Sequence, residues 1–413
     1  MRPIADLPEP NEDARALSAM LAMQIKMRIK SSKTETISFA EYFDACLYMP
    51  NLGYYSNDLR KFGQAGDFIT APELSPLFSQ CIANQILEIS EHLADFNIME
   101  IGAGTGIMCA DILDYLKSKL SLEMLPVHYY ILERSGTLRE RQQQLLKLRH
   151  PDYFKNIIWL DSPLKHPFEA IIIGNEIIDA LSVARFTILD QIPYYLDIAL
   201  DKYDQFIWNK RVLNKNIHDL DYQNLLDFIA NLKDKNIELP DNYQSEFCPQ
   251  LSPFINTITE NLSKGALLLI DYGYTQKEYY HPLRTGGTLI AHYQHHAHEA
   301  FFEYIGLQDL TANVDFTALG EAGLSAGLSV LGYTNQALFL YGAGLEALLV
   351  SLHQQSSPSA WVRIAQKIQQ LVLPAEMGER FQVMLMGKNL IELESEDETT
   401  LKCFSLRDFR HLL

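Results

Sequence analysis

The sequence predicts a doubly wound α/β fold with an inserted antiparallel β-meander and helical additions. Three observations carry that reading. Short, continuous apolar runs alternate with helical patterns through the middle of the chain, the mark of a parallel sheet covered on both faces. The first of those runs stops at a glycine-rich turn that opens a helix. Further on, three stretches alternate apolar and polar residues, as half-buried antiparallel strands do.

The elements follow in order. Residues 1–13 are polar and proline-containing and read as a loose leader. Residues 14–30 place Leu17, Leu21, Ile25 and Ile29 at helical spacing, with Lys26, Arg28 and Lys30 at the end that favours cations. Such a helix either packs on the body of its own domain or lies on a membrane surface. Ser38 followed by Glu41 predicts a capping box at the start of a second helix. Asn97–Ile101 reads as a buried strand running into Gly102-Ala103-Gly104-Thr105-Gly106, with a helix to about Leu120. Val127–Leu132 ends in Glu133 and is followed by a helix over Leu138–Arg149. Ile157–Leu160 ends in Asp161, Ala170–Ile173 in Gly174-Asn175-Glu176, and Ala266–Ile270 in Asp271. The meander occupies Val183–Leu189, Pro193–Ala199 and Gln205–Val212, and the last third holds a helix near Pro358–Val372 and a strand at Phe381–Met386. The expected division is residues 1–95 as an N-terminal helical region, 96–182 with 264–390 as the sheet domain, 183–263 as the insertion and 391–413 as a tail.

Composition narrows the function. With 52 acidic against 34 basic residues the formal net charge is -18, which repels phosphate backbones and argues against nucleic-acid binding. A basic partner or basic peptide suits such a surface. The five cysteines are scattered without a C-x-x-C pair, so reduced thiols and a cytoplasmic location are expected. No apolar run reaches the length of a membrane span. His292, His295, His296 and His298 cluster without ligand spacing and read as a solvated loop, so no metal is expected.

The glycine turn is the strongest local signal, because glycine lets the backbone turn sharply and approach a ligand. A dinucleotide fingerprint needs its third glycine one position later, where Ile107 stands. Glu100, at the end of the strand, would also repel a pyrophosphate and suits a ligand carrying an amine and a sulfonium. Glu133 is placed to accept both hydroxyls of a ribose, and Asp161 to accept from an adenine amine. For each acid the alternative is a solvated carboxylate at a strand end. In an open sheet, however, Glu133, Asp161 and Glu176, each ending a strand, would share one crevice outside the strand ends.

Several motifs extend beyond this loop. They are Ser38-Phe39-Ala40-Glu41-Tyr42, Pro50-Asn51-Leu52-Gly53-Tyr54-Tyr55, Gly66-Asp67-Phe68-Ile69-Thr70-Ala71-Pro72-Glu73, Asn175-Glu176-Ile177-Ile178-Asp179-Ala180-Leu181, Asp271-Tyr272-Gly273-Tyr274, Asp309–Phe316 and Met377-Gly378-Glu379-Arg380-Phe381. In this order and spacing the chain resembles the MidA-type methyltransferases over roughly residues 20–390. Ala103 and Thr105 depart from the Pro-Gly-Arg-Gly often found inside the family's glycine motif, and Ser182 stands where a proline is common. The resemblance implies a class I methyltransferase (Rossmann-like) sheet and S-adenosyl-L-methionine as cofactor. It also implies methyl transfer to an arginine nitrogen of a partner protein, with a respiratory complex I subunit as the acceptor to expect. On that reading the cofactor is held by Gly66, Asp67, Phe68, Thr70, Glu100, Gly102, Gly104, Gly106, Glu133, Asp161 and Asn175, with Gly66–Glu73 acting as a lid.

A guanidinium is a poor nucleophile, and carboxylates that pair with it fix its orientation and accept its proton. Glu176 and Asp179 are three apart and share one face if the turn is helical, which makes them the candidate catalytic pair. Asp179 serves equally well as a charge at a helix start. Three other readings stay open: a small-molecule, lysine or carboxyl acceptor, a cofactor-binding assembly factor without catalysis, and, last, a nicotinamide oxidoreductase.

Overall fold

A computed structural model describes residues 7–57, 70–211, 220–394 and 401–413. The chain divides into two compact units. One takes the N-terminal segment to Phe68 with Ile178–Leu251 and Tyr274–Asp315, and the other Ile69–Ile177, Ser252–Gly273 and Phe316–Leu413. The sequence boundaries grouped Tyr274–Asp315 with the sheet and kept the N-terminal helices apart from the meander. One apolar core brings these segments together instead. Leu21, Ile25, Ile29, Phe39 and Phe43 are buried in a single cluster with Ile198, Leu289 and Leu310.

In that first unit the helix over Glu12–Ser31 buries Leu21, Ile25 and Ile29, so the packing reading of its apolar stripe holds. The capping box is present, with Glu41 N–H donating to Ser38 Oγ at 3.2 Å and Ser38 N–H to Glu41 Oε2 at 2.9 Å. The meander forms as Ala184–Leu189, Ile192–Leu200 and Phe206–Arg211. Thr36–Ile37 and Gln244–Phe247 extend it into one antiparallel sheet. The histidine segment is a hairpin, not a solvated loop. Ile290–Tyr293 pairs with His296–His298, and His298 is 1% exposed with its Nδ1 accepting from Ala300 N–H. The alternation of the strand turns Ala291, Tyr293 and His298 inward, which composition does not reveal.

The second unit is built on seven strands: β1 (Ile98–Ile101), β2 (Tyr129–Leu132), β3 (Ile157–Leu160), β4 (Phe168–Asn175), β5 (Leu262–Tyr274), β6 (Ser329–Asn335) and β7 (Phe381–Lys388). Their order is β6-β7-β5-β4-β1-β2-β3. β1 to β5 pair in parallel, while β7 runs antiparallel between β5 and β6. Helix α1 (Pro76–Ser90) precedes β1, α2 (Ile107–Lys119) joins β1 to β2, and α3 (Gly136–Arg149) joins β2 to β3. Ile98, Ile131, Ile171 and Leu268 share the apolar core with Ile82, Ile86, Ile112 and Leu146 from those helices. Among the described residues no single helix is long and apolar enough to cross a membrane.

The first strand carries a buried acid into this core. Glu100 on β1 is 1% exposed and accepts from the Tyr129 hydroxyl on β2 at 2.6 Å. Burial pushes its pKa up to about 7, against the pull of the Tyr129 bond, and the Glu133 carboxylate adds to the rise. The folded chain therefore retains a proton that the unfolded chain releases from about pH 4.5 upward. Stability falls as pH rises through that window, and the full cost stands above pH 7. Glu100→Gln keeps an acceptor for Tyr129 and removes the charge. Its gain over wild type in urea denaturation should therefore be larger at pH 8 than at pH 5, by roughly 2–3 kcal/mol. An equal difference at both pH values would refute this account.

Candidate active site

One row of register fixes the site. Leu160, Leu132, Ile101 and Gly174 are successive neighbours across β3, β2, β1 and β4. The residues that follow them, Asp161, Glu133, Gly102 and Asn175, therefore line the carboxyl edge of the sheet. The strand order reverses between β1 and β4, and ligands of open α/β sheets bind outside the strand ends at such a point.

The loop after β1 is held in a conformation that glycine accommodates and other residues resist. Gly102, Gly104 and Gly106 have φ of 65°, 53° and 85°. A side chain at Gly106 would also press on Gln142, whereas the Cβ position of Gly104 is open. Gly106 caps α2 without any side-chain hydrogen bond, and the first N–H groups of a helix have no acceptor within it. Thr105 Oγ1 donates to Glu73, which ties the loop to the short helix Ala71–Leu74. Thr70 occupies the cap position of that helix, and its side chain makes no capping bond. Gly66, Asp67 and Phe68 lie outside the described residues.

Glu133 is 7% exposed and accepts from Ser135 N–H at 2.8 Å and Gln142 Nε2 at 3.1 Å. Burial raises its pKa, and those donors together with Arg139 pull against the rise. Asp161 is the opposite case. Its side chain is 92% exposed and pairs with Arg139 Nη2 at 2.7 Å. The same guanidinium donates to the carbonyls of Glu133 and Leu160, clipping the ends of β2 and β3 together.

At the end of β4, Asn175 Nδ2 donates to Glu176 Oε1 at 3.1 Å, and its own Oδ1 is buried with no hydrogen-bond partner. Glu176 has φ of 54°, a strained backbone for a residue with a Cβ. The segment beyond it bends and is not helical, so the shared helical face expected for Glu176 and Asp179 does not exist. Asp179 belongs to the other unit, where it is buried and its carbonyl accepts from Ala312 N–H. Asp271, buried on β5 just past its last pairing with β4, accepts from the Ile177 N–H at 3.1 Å and so braces the Glu176 turn.

Sequence reasoning passed over Gln142, Glu73 and Asp271 as working residues of this edge. Glu73 and Asp271 stood inside quoted motifs. Gln142 offered only its place one turn before Leu146, on the buried face of α3.

These residues suit S-adenosyl-L-methionine. Glu133 has lone pairs beyond its internal bonds for a ribose diol, the glycine turn admits a close ligand, and Asn175 Oδ1 needs a donor. A sheet of this order, with one antiparallel strand and acids along its carboxyl edge, defines a class I methyltransferase. Residues 81–334 match the model of a family of S-adenosyl-L-methionine-dependent methyltransferases, and the chain belongs to that family. It is similar to a protein from Burkholderia thailandensis whose crystal structure holds S-adenosyl-homocysteine. The two are 34% identical, with a TM-score of 0.88 over 99% of this chain and 100% of that one. It is also similar to the mitochondrial protein arginine methyltransferase NDUFAF7 of Mus musculus, at 27% identity over 90% of this chain and 85% of the relative. The Homo sapiens protein of that name is 28% identical over 90% and 84%. The cofactor is S-adenosyl-L-methionine.

Glu133→Ala should weaken S-adenosylhomocysteine binding by roughly 1.5–3 kcal/mol, the worth of charge-assisted hydrogen bonds to a diol. Calorimetry measures it, with NAD as a control expected to give no binding. Unchanged affinity would remove Glu133 from the site.

Proposed function

We propose that the protein methylates arginine on a partner protein, with Glu176 as the residue that holds the guanidinium. The observation that carries this reading is a carboxylate on a strained, left-handed backbone beside the glycine loop, where a Cβ added at Gly102 would crowd the Ile177 side chain at 3.1 Å. Such strain is retained where geometry matters more than stability. The relatives named as protein arginine methyltransferases support the acceptor, and the acidic charge of -18 suits a basic peptide. A respiratory complex I subunit is the acceptor to try first, in a cytoplasmic setting that agrees with five free cysteines.

The cofactor supplies a methyl group on a sulfonium. The chain supplies position and charge. The Glu176 carboxylate orients the guanidine nitrogen for in-line attack, so that the new N–C bond forms as the S–C bond breaks. The proton leaving nitrogen passes to that carboxylate. Asp179 is a second candidate on the acceptor side, on its place in the sequence.

Glu176→Gln keeps the shape and removes the charge, and should slow methyl transfer on the order of 100-fold. Cofactor affinity should change far less. The assay compares arginine methylation of a native partner by both forms. Full activity in the variant would sink the assignment, and methyl found only on lysine or small molecules would sink the acceptor. Glu176→Gly should melt higher than wild type, by about 1 kcal/mol of relieved backbone strain, while losing activity.

A further inference from the structure

Gln142 links three parts of the carboxyl edge. It projects from α3 and is 0% exposed. Its Oε1 accepts from Trp159 Nε1 at 3.0 Å, which settles which end of the amide carries the protons. Its Nε2 then donates to the Gly104 carbonyl at 2.9 Å and to Glu133 Oε2 at 3.1 Å. Both amide protons and the carbonyl are engaged, toward the glycine loop, β3 and the acid after β2. No other side chain reproduces that set. Glutamate has the shape but only acceptors when ionised, and methionine has about the volume without the hydrogen bonds. The other buried residue of α3 is Leu146, so packing alone would be met by an apolar residue.

We propose that Gln142 is a positioning residue of the cofactor site, holding the Glu133 carboxylate and the Gly104 carbonyl in the arrangement that receives S-adenosyl-L-methionine. The inference rests on Glu133 as a cofactor contact. Besides Gln142, the groups facing Glu133 are the Ser135 and Arg134 N–H groups, the Arg139 guanidinium with its partner Asp161, and the Glu100 carboxyl on β1. Against that background Gln142 Nε2 is the one side-chain amide that donates to Glu133 among the described residues. An acid in its place would set a second carboxylate at hydrogen-bond distance from Glu133. Two such groups share a proton at neutral pH and repel each other when both ionise.

The test is calorimetry with S-adenosylhomocysteine at pH 6 and pH 8 on wild type, Gln142→Glu, Gln142→Met and Glu133→Ala, each referred to wild type at the same pH. Thermal melting of the ligand-free proteins accompanies it. Gln142→Met should bind about 10-fold more weakly at both pH values, the worth of one hydrogen bond to a charged group. Gln142→Glu should bind on the order of 30-fold more weakly at pH 8 and recover several-fold at pH 6, as the two acids come to share a proton. A merely structural role would lower melting without that pH-dependent recovery. Wild-type affinity in Gln142→Glu at pH 8, or a loss equal at both pH values, overturns the proposal. If Glu133→Ala binds normally, the Glu133 assignment falls and this inference with it. If Glu133→Ala binds weakly while both Gln142 variants bind as wild type, only the positioning role falls.

Discussion

The parallel pairing of β1 with β4 is the constraint on which the site depends. Ile101 stands opposite Gly174, so the chain leaves the two strands side by side and the glycine loop and Asn175 open onto the same edge. A slip of one residue would turn every side chain of β1 to the opposite face. All four residues of β1 are buried, and Ile98 belongs to the core that α1 and α2 cover, which makes that slip costly. The positions of Glu133 and Asp161 follow from the same row through β2 and β3. Four functional candidates are thus placed by one register and need no separate device.

The electrostatics of the edge come from unequal burial of similar groups. Glu100 and Glu133 are both carboxylates near a strand end, yet Glu100 has one hydroxyl donor and sits near neutrality. Glu133 has N–H donors from Ser135, Gln142 and Arg134, and Arg139 nearby, which oppose the rise that burial causes. A cation brought to this edge would favour the ionised form of Glu100, so binding of a sulfonium and release of that proton are coupled. Asp161, exposed and paired with Arg139, works on the backbone of its neighbours through that arginine as much as through its own charge.

What could be read from the sequence was local. An apolar run that stops at an acid marks both a buried strand and its exposed end, so β1 to β5 and the acids after them were legible. The capping box at Ser38 was legible because both partners lie within one turn. β6 was not, since Gly332 and the polar ends of Ser329–Asn335 interrupt the apolar run. The antiparallel sense of β7 was not, because Phe381–Lys388 has the same composition whichever way it points. Gln142 stands first in a run of three glutamines, and the other two, Gln143 and Gln144, face solvent. Its neighbours Gly104 and Trp159 are far away along the chain, and only the tertiary fold brings them to it.

The same limit explains the gathering of the first unit. One of its segments precedes β1, and the other two enter the sequence at the carboxyl ends of β4 and β5. Insertions there fall outside the ladders, which is why two of them coexist with parallel pairing from β3 to β5, shifted only between Leu262 and Lys264 at the start of β5. Each inserted segment carries part of an apolar surface it cannot cover alone. The N-terminal helix brings Leu21 and Ile25, the meander Ile198, and the second insertion Leu289 and Leu310. Hydrophobic burial is proportional to area and indifferent to chain order, so these surfaces close on one another across more than 250 residues of sequence. A boundary drawn from local patterns has no access to that pairing, because each segment by itself reads as an ordinary half-apolar element.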